Sequence, residues 1–182
     1  LGDVYKRQVL TPQGKLQENY IGKIQIQNSP YLNTEYLGFL MDENNLSVSQ
    51  HLAVRKAINY GFDRQKMITY LRNNIGSPAN EGFVPKGLPS FTDSLRGYDY
   101  NPEVAMQLLA DADISTPISL ELNTTSSYLD LCEFIQNQLA EVGIQLEINI
   151  NPPSTHRQMV ATSKLDFFRG SWIADYADAE NY

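Results

Sequence analysis

Residues 118–150 read ISLELNTTSSYLDLCEFIQNQLAEVGIQLEINI, and this stretch places the chain in the α/β class. Ile118, Leu120 and Leu122 alternate with polar residues, which predicts a strand. Apolar residues then recur every three or four positions, at Tyr128, Cys132, Ile135, Leu139 and Val142. This spacing predicts an amphipathic helix that stops at Gly143. Alternation resumes over residues 144–150 and predicts a second strand.

The same alternation of elements continues toward the C-terminus. Ser154 or Thr155 is expected to cap a shorter helix near residues 156–162, and residues 165–174 predict a third, aromatic-rich strand. Strand, helix, strand, helix and strand with short connections predict a mostly parallel sheet with right-handed crossovers. The expected fold class is therefore α/β, with helices flanking a mixed, mostly parallel sheet.

Upstream of residue 118 the sequence predicts two strands and a long loop. Ile24 and Ile26 alternate with glutamines, which is a weak strand signal, and residues 36–41 predict a short buried strand. Residues 76–102 are rich in glycine and proline, which predicts a long loop. Apolar residues are interleaved in that loop, so we expect it to pack on a surface.

Three helices are predicted before the first long strand. Ser47 or Ser49 can cap a helix that ends at Gly61, and Asp63 can cap the next one. Asn101, followed by a proline, marks the start of a third helix, because proline suits the first helical position.

Composition excludes several functional classes. The net charge of −7 argues against a nucleic-acid partner, and no run approaches the roughly 18 apolar residues of a membrane span. The single cysteine, Cys132, excludes an internal disulfide and is interpreted as a core residue. His51 and His156 lie at predicted helix starts and are interpreted as surface or capping residues. No catalytic motif is present, so neither an enzyme nor a cofactor is expected.

Both ends of the sequence suggest a piece of a larger protein. Residues 1–8, LGDVYKRQ, fit no periodic pattern and are interpreted as an artefactual leader. Residues 172–182 follow the third strand without a closing helix. The alternative is a complete small protein with frayed tails.

Polar residues follow each of the three C-terminal strands, at residues 123–127, 151–154 and 175–178. Open α/β sheets bind ligands beyond the carboxyl ends of their strands, so these segments can form one wall of a cleft. Asn123 and Thr124 are therefore candidate ligand-binding residues. The first two segments also open helices, whose N-termini favour anionic groups.

The acidic residues Asp175, Asp178 and Glu180 follow the third strand and have three interpretations. They can form a solvated loop, they can bind an ammonium group through charge-assisted hydrogen bonds, or they can bind calcium. Their spacing matches no EF-hand loop.

Arg169 lies within the apolar third strand and requires a partner if it is buried. The structural candidates are Asp166 and Glu147, and the functional candidate is a ligand carboxylate. Strand alternation places Arg169 and Trp172 on opposite faces. Trp172 is either a core residue or a flat wall at a cleft edge.

Four segments together resemble family 5 extracellular solute-binding proteins, the dipeptide- and oligopeptide-binding receptors of ABC importers. They are VRKAINYGFDR at 54–64, GFVPKGLP at 82–89, YNPEVAMQLLADA at 100–112 and WIADYAD at 172–178. Their order and spacing suit the family, and the similarity runs from about Tyr20 to the last residue. The chain departs from the family pattern at Ala177 and Ala179, where proline is common, and at Asp113, where glycine is common.

The resemblance implies a type II periplasmic-binding fold of two lobes joined by hinge strands. Residues 9–42 would be the incoming segment with a hinge-proximal strand, and residues 43–182 most of the C-terminal lobe, with the rest of the receptor outside the sequence. It assigns Asp175 to the α-amino group of a bound peptide and Arg169, in some members, to the peptide carboxylate. Trp172 and Tyr176 belong to the same implied ligand site.

The function implied by the resemblance is capture of peptides between two lobes and delivery to a membrane ABC permease. Such a receptor would be a monomer in the periplasm or, as a lipoprotein, on the outer face of the cytoplasmic membrane. Alternative solutes within the family are nickel, haem and oligosaccharides. A cleft hydrolase and a sensory domain on the same fold are alternatives of other classes.

Overall fold

The computed structural model describes residues 9–27, 29–44, 47–95 and 97–182, and the segment 1–8 lies outside them. Four strands form one sheet in the order β1-β4-β2-β3. They are β1 (Asn33–Phe39), β2 (Ile118–Thr124), β3 (Ile144–Ile150) and β4 (Phe167–Ile173). Strand β2 is parallel to β3 and β4, whereas β1 is antiparallel to β4. The predicted mixed, mostly parallel sheet is confirmed.

Five α-helices accompany the sheet in the described residues. They are α1 (Leu52–Tyr60), α2 (Arg64–Leu71), α3 (Pro102–Asp111), α4 (Leu129–Glu141) and α5 (Pro153–Ala161). Short 3₁₀ turns occur at Glu18–Tyr20, Val48–Gln50, Ser126–Tyr128 and Ala179–Asn181. No helix within the described ranges is long and apolar enough to cross a membrane.

The hydrophobic core lies between one face of β2 and β3 and the helices α1, α3 and α4. Its members are aliphatic for the most part and include Val54, Ile58, Leu109, Leu122, Leu139 and Ile144. Helix α4 supplies Cys132, Ile135 and Leu139 from one stripe, which confirms the periodicity of the sequence. Each such side chain contributes about 1.5–3 kcal/mol by leaving water.

Local capping signals fix most of the helix ends. Asp63 and Asn101 accept backbone hydrogen bonds at the starts of α2 and α3, as predicted. Ser47 caps only the 3₁₀ turn Val48–Gln50, and His51 caps α1. Gly143 has a φ of +84°, which glycine adopts without steric cost, and it turns the chain from α4 into β3.

Besides the serine cap of α1, three other predictions of local structure are wrong. Residues 24–27 are not a strand, and Ile24 and Ile26 are exposed. Helix α5 begins at Pro153 without a side-chain cap, because proline is itself suited to the first turn. His156 is neither a surface nor a capping residue: it lies inside α5 and is buried against the Phe168 ring.

The long loop between α2 and α3 packs on the β1/β4 pair through Phe83, as predicted. The Thr34 hydroxyl donates to the Phe83 carbonyl at 2.8 Å, and the Phe83 ring meets the ring of Tyr36 edge to face. On the same face the Tyr36 ring lies so close to Gly170 that a Cβ there would stand 2.4 Å from the ring. Any larger residue at position 170 would therefore force the Tyr36 ring to move.

Candidate functional site

Strand β4 extends further than the parallel strand β2 at their carboxyl ends. Asn123 of β2 pairs with Phe168 of β4, so β2 ends beside Arg169. Strand β4 continues to Ile173, four residues or about 13 Å further, and its partner over that length is β1. The β1/β4 pair therefore extends beyond the rest of the sheet and carries Trp172 and the segment after it outward.

Asn123 and Thr124, the candidate residues at the end of β2, are buried. The Asn123 amide donates to Glu121 Oε1 at 2.7 Å and its oxygen accepts from Asn151 Nδ2 at 2.9 Å. The backbone N–H of Asn151 donates to the Thr124 carbonyl at 2.8 Å. The structure thus joins two of the three predicted polar segments through one side-chain and one backbone hydrogen bond.

The third segment, which follows β4, is folded back on itself by hydrogen bonds to Asn181. The Trp172 indole N–H donates to the Asn181 carbonyl, and the Asp175 backbone N–H donates to Asn181 Oδ1 at 3.0 Å. Asp178 caps the turn Ala179–Asn181. These contacts fix the spacing between Trp172 and Asp175, two residues that the resemblance places in one site.

The segment is attached to Leu32, the residue that precedes β1. The Ala174 N–H and the Tyr182 hydroxyl both donate to the Leu32 carbonyl, at 3.0 and 2.7 Å. The Tyr182 ring also meets the Phe83 ring of the long loop edge to face. β1, the loop and the C-terminal segment consequently support one another around the end of β4.

Three of the predicted site residues present their side chains to solvent. Trp172 is 42% exposed and Tyr176 is 54% exposed, and Asp175 is also exposed. Within the described ranges the Asp175 carboxylate forms no hydrogen bond or ion pair, so it is free to accept one from a ligand. The Tyr176 hydroxyl donates to Glu180 Oε1 at 2.7 Å, and this bond raises the pKa of the phenol.

Arg169 lies on the opposite face of β4 from Trp172, and its side chain is only 11% exposed. Its guanidinium forms an ion pair with Glu35 of β1 and stands 3.1 Å from the centroid of the Tyr128 ring. Burial lowers the pKa of the guanidinium to about 10. The predicted structural partners, Asp166 and Glu147, are not the observed one. Glu35 was missed because strand pairing, not sequence proximity, brings it close.

The thiol of Cys132 and the imidazole of His156 lie inside the lobe. Cys132 is fully buried, and burial raises the pKa of its thiol, so the interpretation as a core residue is confirmed. His156 Nε2 lies 3.0 Å from the Arg169 carbonyl. No group of three or more metal-ligating side chains occurs in the part of the chain that the structure describes.

Comparison with known proteins agrees with the fold. The profile of "Bacterial extracellular solute-binding proteins, family 5 Middle" matches residues 2–182. The chain belongs to this family. It is 30% identical over 135 residues, 71% of its length, to Di/tripeptide-binding protein 2 of Pseudomonas aeruginosa. It is 23% identical over 167 residues, 88% of its length, to Heme-binding protein A of Haemophilus influenzae.

A solved structure supports the fold. The periplasmic binding protein DppA from Helicobacter pylori, in complex with the peptide STSA, superposes with a TM-score of 0.72 over 84% of this chain at 21% identity. The matched region is 29% of that protein, and the two relatives are matched over 25% and 30% of their lengths. The chain therefore forms an α/β lobe of the periplasmic-binding-protein type and spans under a third of these proteins.

Proposed function

We propose that this chain is the ligand-anchoring lobe of a peptide receptor for an ABC importer. The observation that carries the proposal is the free, exposed Asp175 carboxylate held beside Trp172 at the end of β4. A carboxylate in this position can accept charge-assisted hydrogen bonds from a peptide ammonium group. The family and the di/tripeptide-binding relative support peptides as the solute class.

In this proposal the peptide lies between this lobe and a second lobe, and closure of the lobes commits the ligand to transport. Trp172 and Tyr176 supply aromatic surface, and Asn123 and Thr124 support the cleft wall. Arg169 as a contact for the peptide carboxylate stays a prediction from the resemblance. The complete receptor is proposed to act as a periplasmic or membrane-anchored monomer that docks on an ABC permease.

The proposed lobe binds its ligand without chemical change. Its family consists of solute-binding proteins, and the thiol of Cys132 is buried in the core. A hydrolase on this fold would release amino acids or shorter peptides. Incubation of the complete receptor with a tetrapeptide, followed by mass spectrometry, separates the two functions: we expect intact peptide, and cleavage would contradict the proposal.

The role of Asp175 is tested by titration calorimetry on the complete receptor. N-acetylation of the peptide removes the ammonium charge, so we expect its affinity to fall about 10–100-fold, the value of a charge-assisted hydrogen bond. Asp175→Asn should cause a similar loss with the free peptide, whereas Glu147→Gln, at an exposed glutamate of β3, serves as the control. Equal affinities for the free and acetylated peptides would refute this role.

Haem is the second candidate solute, because Heme-binding protein A resembles this chain over 88% of its length. The exposed aromatic rings of Trp172 and Tyr176 are compatible with a flat apolar ligand. Competition settles the choice between the solutes. If haem binds and no di-, tri- or tetrapeptide displaces it or binds by itself, the peptide proposal is wrong.

A further inference from the structure

We propose that Glu35 is the residue that neutralises Arg169, so that the receptor binds peptides without recognising their C-terminal carboxylate through this arginine. The inference rests on the proposed peptide-binding function and names the form of peptide that the site accepts. It competes with the expectation that Arg169 pairs with the ligand carboxylate.

The first argument is that the guanidinium is already enclosed by the lobe. Its face stacks on the Tyr128 ring at 3.1 Å from the centroid, and one of its terminal nitrogens pairs with the Glu35 carboxylate. Only 11% of the Arg169 side chain is exposed. The Nε atom and the terminal nitrogen that faces Glu35 are buried, so a ligand carboxylate could reach the cation only through the small exposed part of the side chain.

The second argument is that Glu35 is held in place by the same strand pair. Asn33 Nδ2 donates to Glu35 Oε1 at 2.8 Å, and the Ser171 hydroxyl donates to Asn33 Oδ1 at 3.1 Å. Ser171 is also the cross-strand neighbour of Glu35. The carboxylate is therefore preorganised toward Arg169, and its removal by a competing anion would leave a partly buried charge without its partner.

The third argument concerns the two faces of β4. Trp172 pairs with Thr34 on one face of the β1/β4 pair, whereas Arg169 pairs with Leu37 on the other. The long loop and Tyr36 cover the Trp172 face next to Gly170. Trp172, the aromatic candidate for ligand contact, therefore lies on the face of β4 opposite to the Arg169 guanidinium.

The test compares a tetrapeptide with its C-terminal amide by calorimetry on the complete receptor. We expect the two dissociation constants to agree within about threefold. Amidation removes the charge of the peptide carboxylate, and in this proposal Arg169, already paired with Glu35, does not contact that carboxylate. A loss of about tenfold or more on amidation would overturn the inference. If neither peptide binds, the proposed function itself fails, which is a distinguishable result.

A variant of Glu35 provides a second test of the acid and amide forms of the peptide. Glu35→Gln keeps the length of the side chain and its contact with Asn33 but frees the Arg169 charge. This variant should prefer the acid over the amide by about tenfold, the value of a new charge-assisted pair. Equal binding of the acid and the amide by the folded variant would overturn the role given to Glu35.

The matched control is Glu147→Gln, because Glu147 is an exposed glutamate on β3, away from Arg169. It makes the same change of charge and should show no preference between the two peptides. Thermal unfolding of both variants confirms that each is folded under the conditions of the titration. A preference in both variants would indicate a general effect of charge and would also overturn the role of Glu35.

Discussion

Two regions of the lobe are stabilised in different ways: helix α4 with strands β2 and β3, and the segment 172–182. In the helical region, aliphatic side chains such as Leu139 and Ile144 are removed from water and the order of the elements follows from periodicity. In the C-terminal segment, exposed aromatic and acidic residues are held by hydrogen bonds to Asn181 and to the Leu32 carbonyl. The first arrangement stabilises the lobe, and the second leaves polar and aromatic groups exposed to solvent.

The largest expected effect comes from the aliphatic region. Leu139→Ala removes a fully buried side chain of α4 and should lower the free energy of unfolding by about 2–5 kcal/mol. Urea denaturation of the complete receptor, monitored by a signal from this lobe, measures the change in the free energy of unfolding. Met106→Ala is the control, because Met106 is exposed on α3 and its loss should cost about 0.5 kcal/mol or less. Similar losses of unfolding free energy in both variants would contradict the expected difference between the buried and the exposed position.

Trp172→Ala should show the reverse pattern. Its indole is partly exposed and donates one hydrogen bond to Asn181. The free energy of unfolding should therefore change by about 1 kcal/mol or less. Peptide affinity should fall about tenfold or more, as for aromatic anchors of binding sites. Denaturation and calorimetry on the same preparation give both values. Loss of stability without loss of affinity would make Trp172 a structural residue.

The smallest effect concerns the acidic turn. The bond from Tyr176 to Glu180 stabilises the protonated phenol, which is why the pKa of Tyr176 is raised. The contribution of this bond to stability is present below the ordinary tyrosine pKa of about 10 and is lost as pH rises past the raised value. Glu180→Gln should lower the pKa toward the ordinary value in a spectrophotometric titration. Tyr176→Phe removes the Tyr176 transition and so identifies it in the titration curve. An unchanged curve in Glu180→Gln would show that Glu180 does not raise the pKa of Tyr176.

The sequence predicted the elements whose signals are local. Strands β2 and β3, helix α4 and the caps Asp63 and Asn101 depend on alternation, helical spacing and a single capping side chain. Pairing over a long separation carries no such local signal. The sequence therefore gave no indication that β1 lies antiparallel beside β4, which is the contact that brings Glu35 to Arg169.

The candidate site divides in the same way. Residue type and position after a strand were sufficient to select Asp175, Trp172 and Asn123 as candidates. They were not sufficient to show that Asn123 is buried in a network of amides, whereas Asp175 is exposed with a free carboxylate. Burial depends on what the rest of the chain places over a residue, and for these residues the neighbours come from β1, β3 and the final turn.

The sequence by itself therefore determined the α/β class, the order of the C-terminal elements and the family resemblance, because these depend on periodicity and on short motifs. Only the tertiary structure decided that β4 extends past β2 and that its two faces differ, with Trp172 on one and Arg169 on the other in contact with Glu35. The physical reason is that the partner of a buried charge is set by which strands become neighbours, and strand order is a property of the folded sheet.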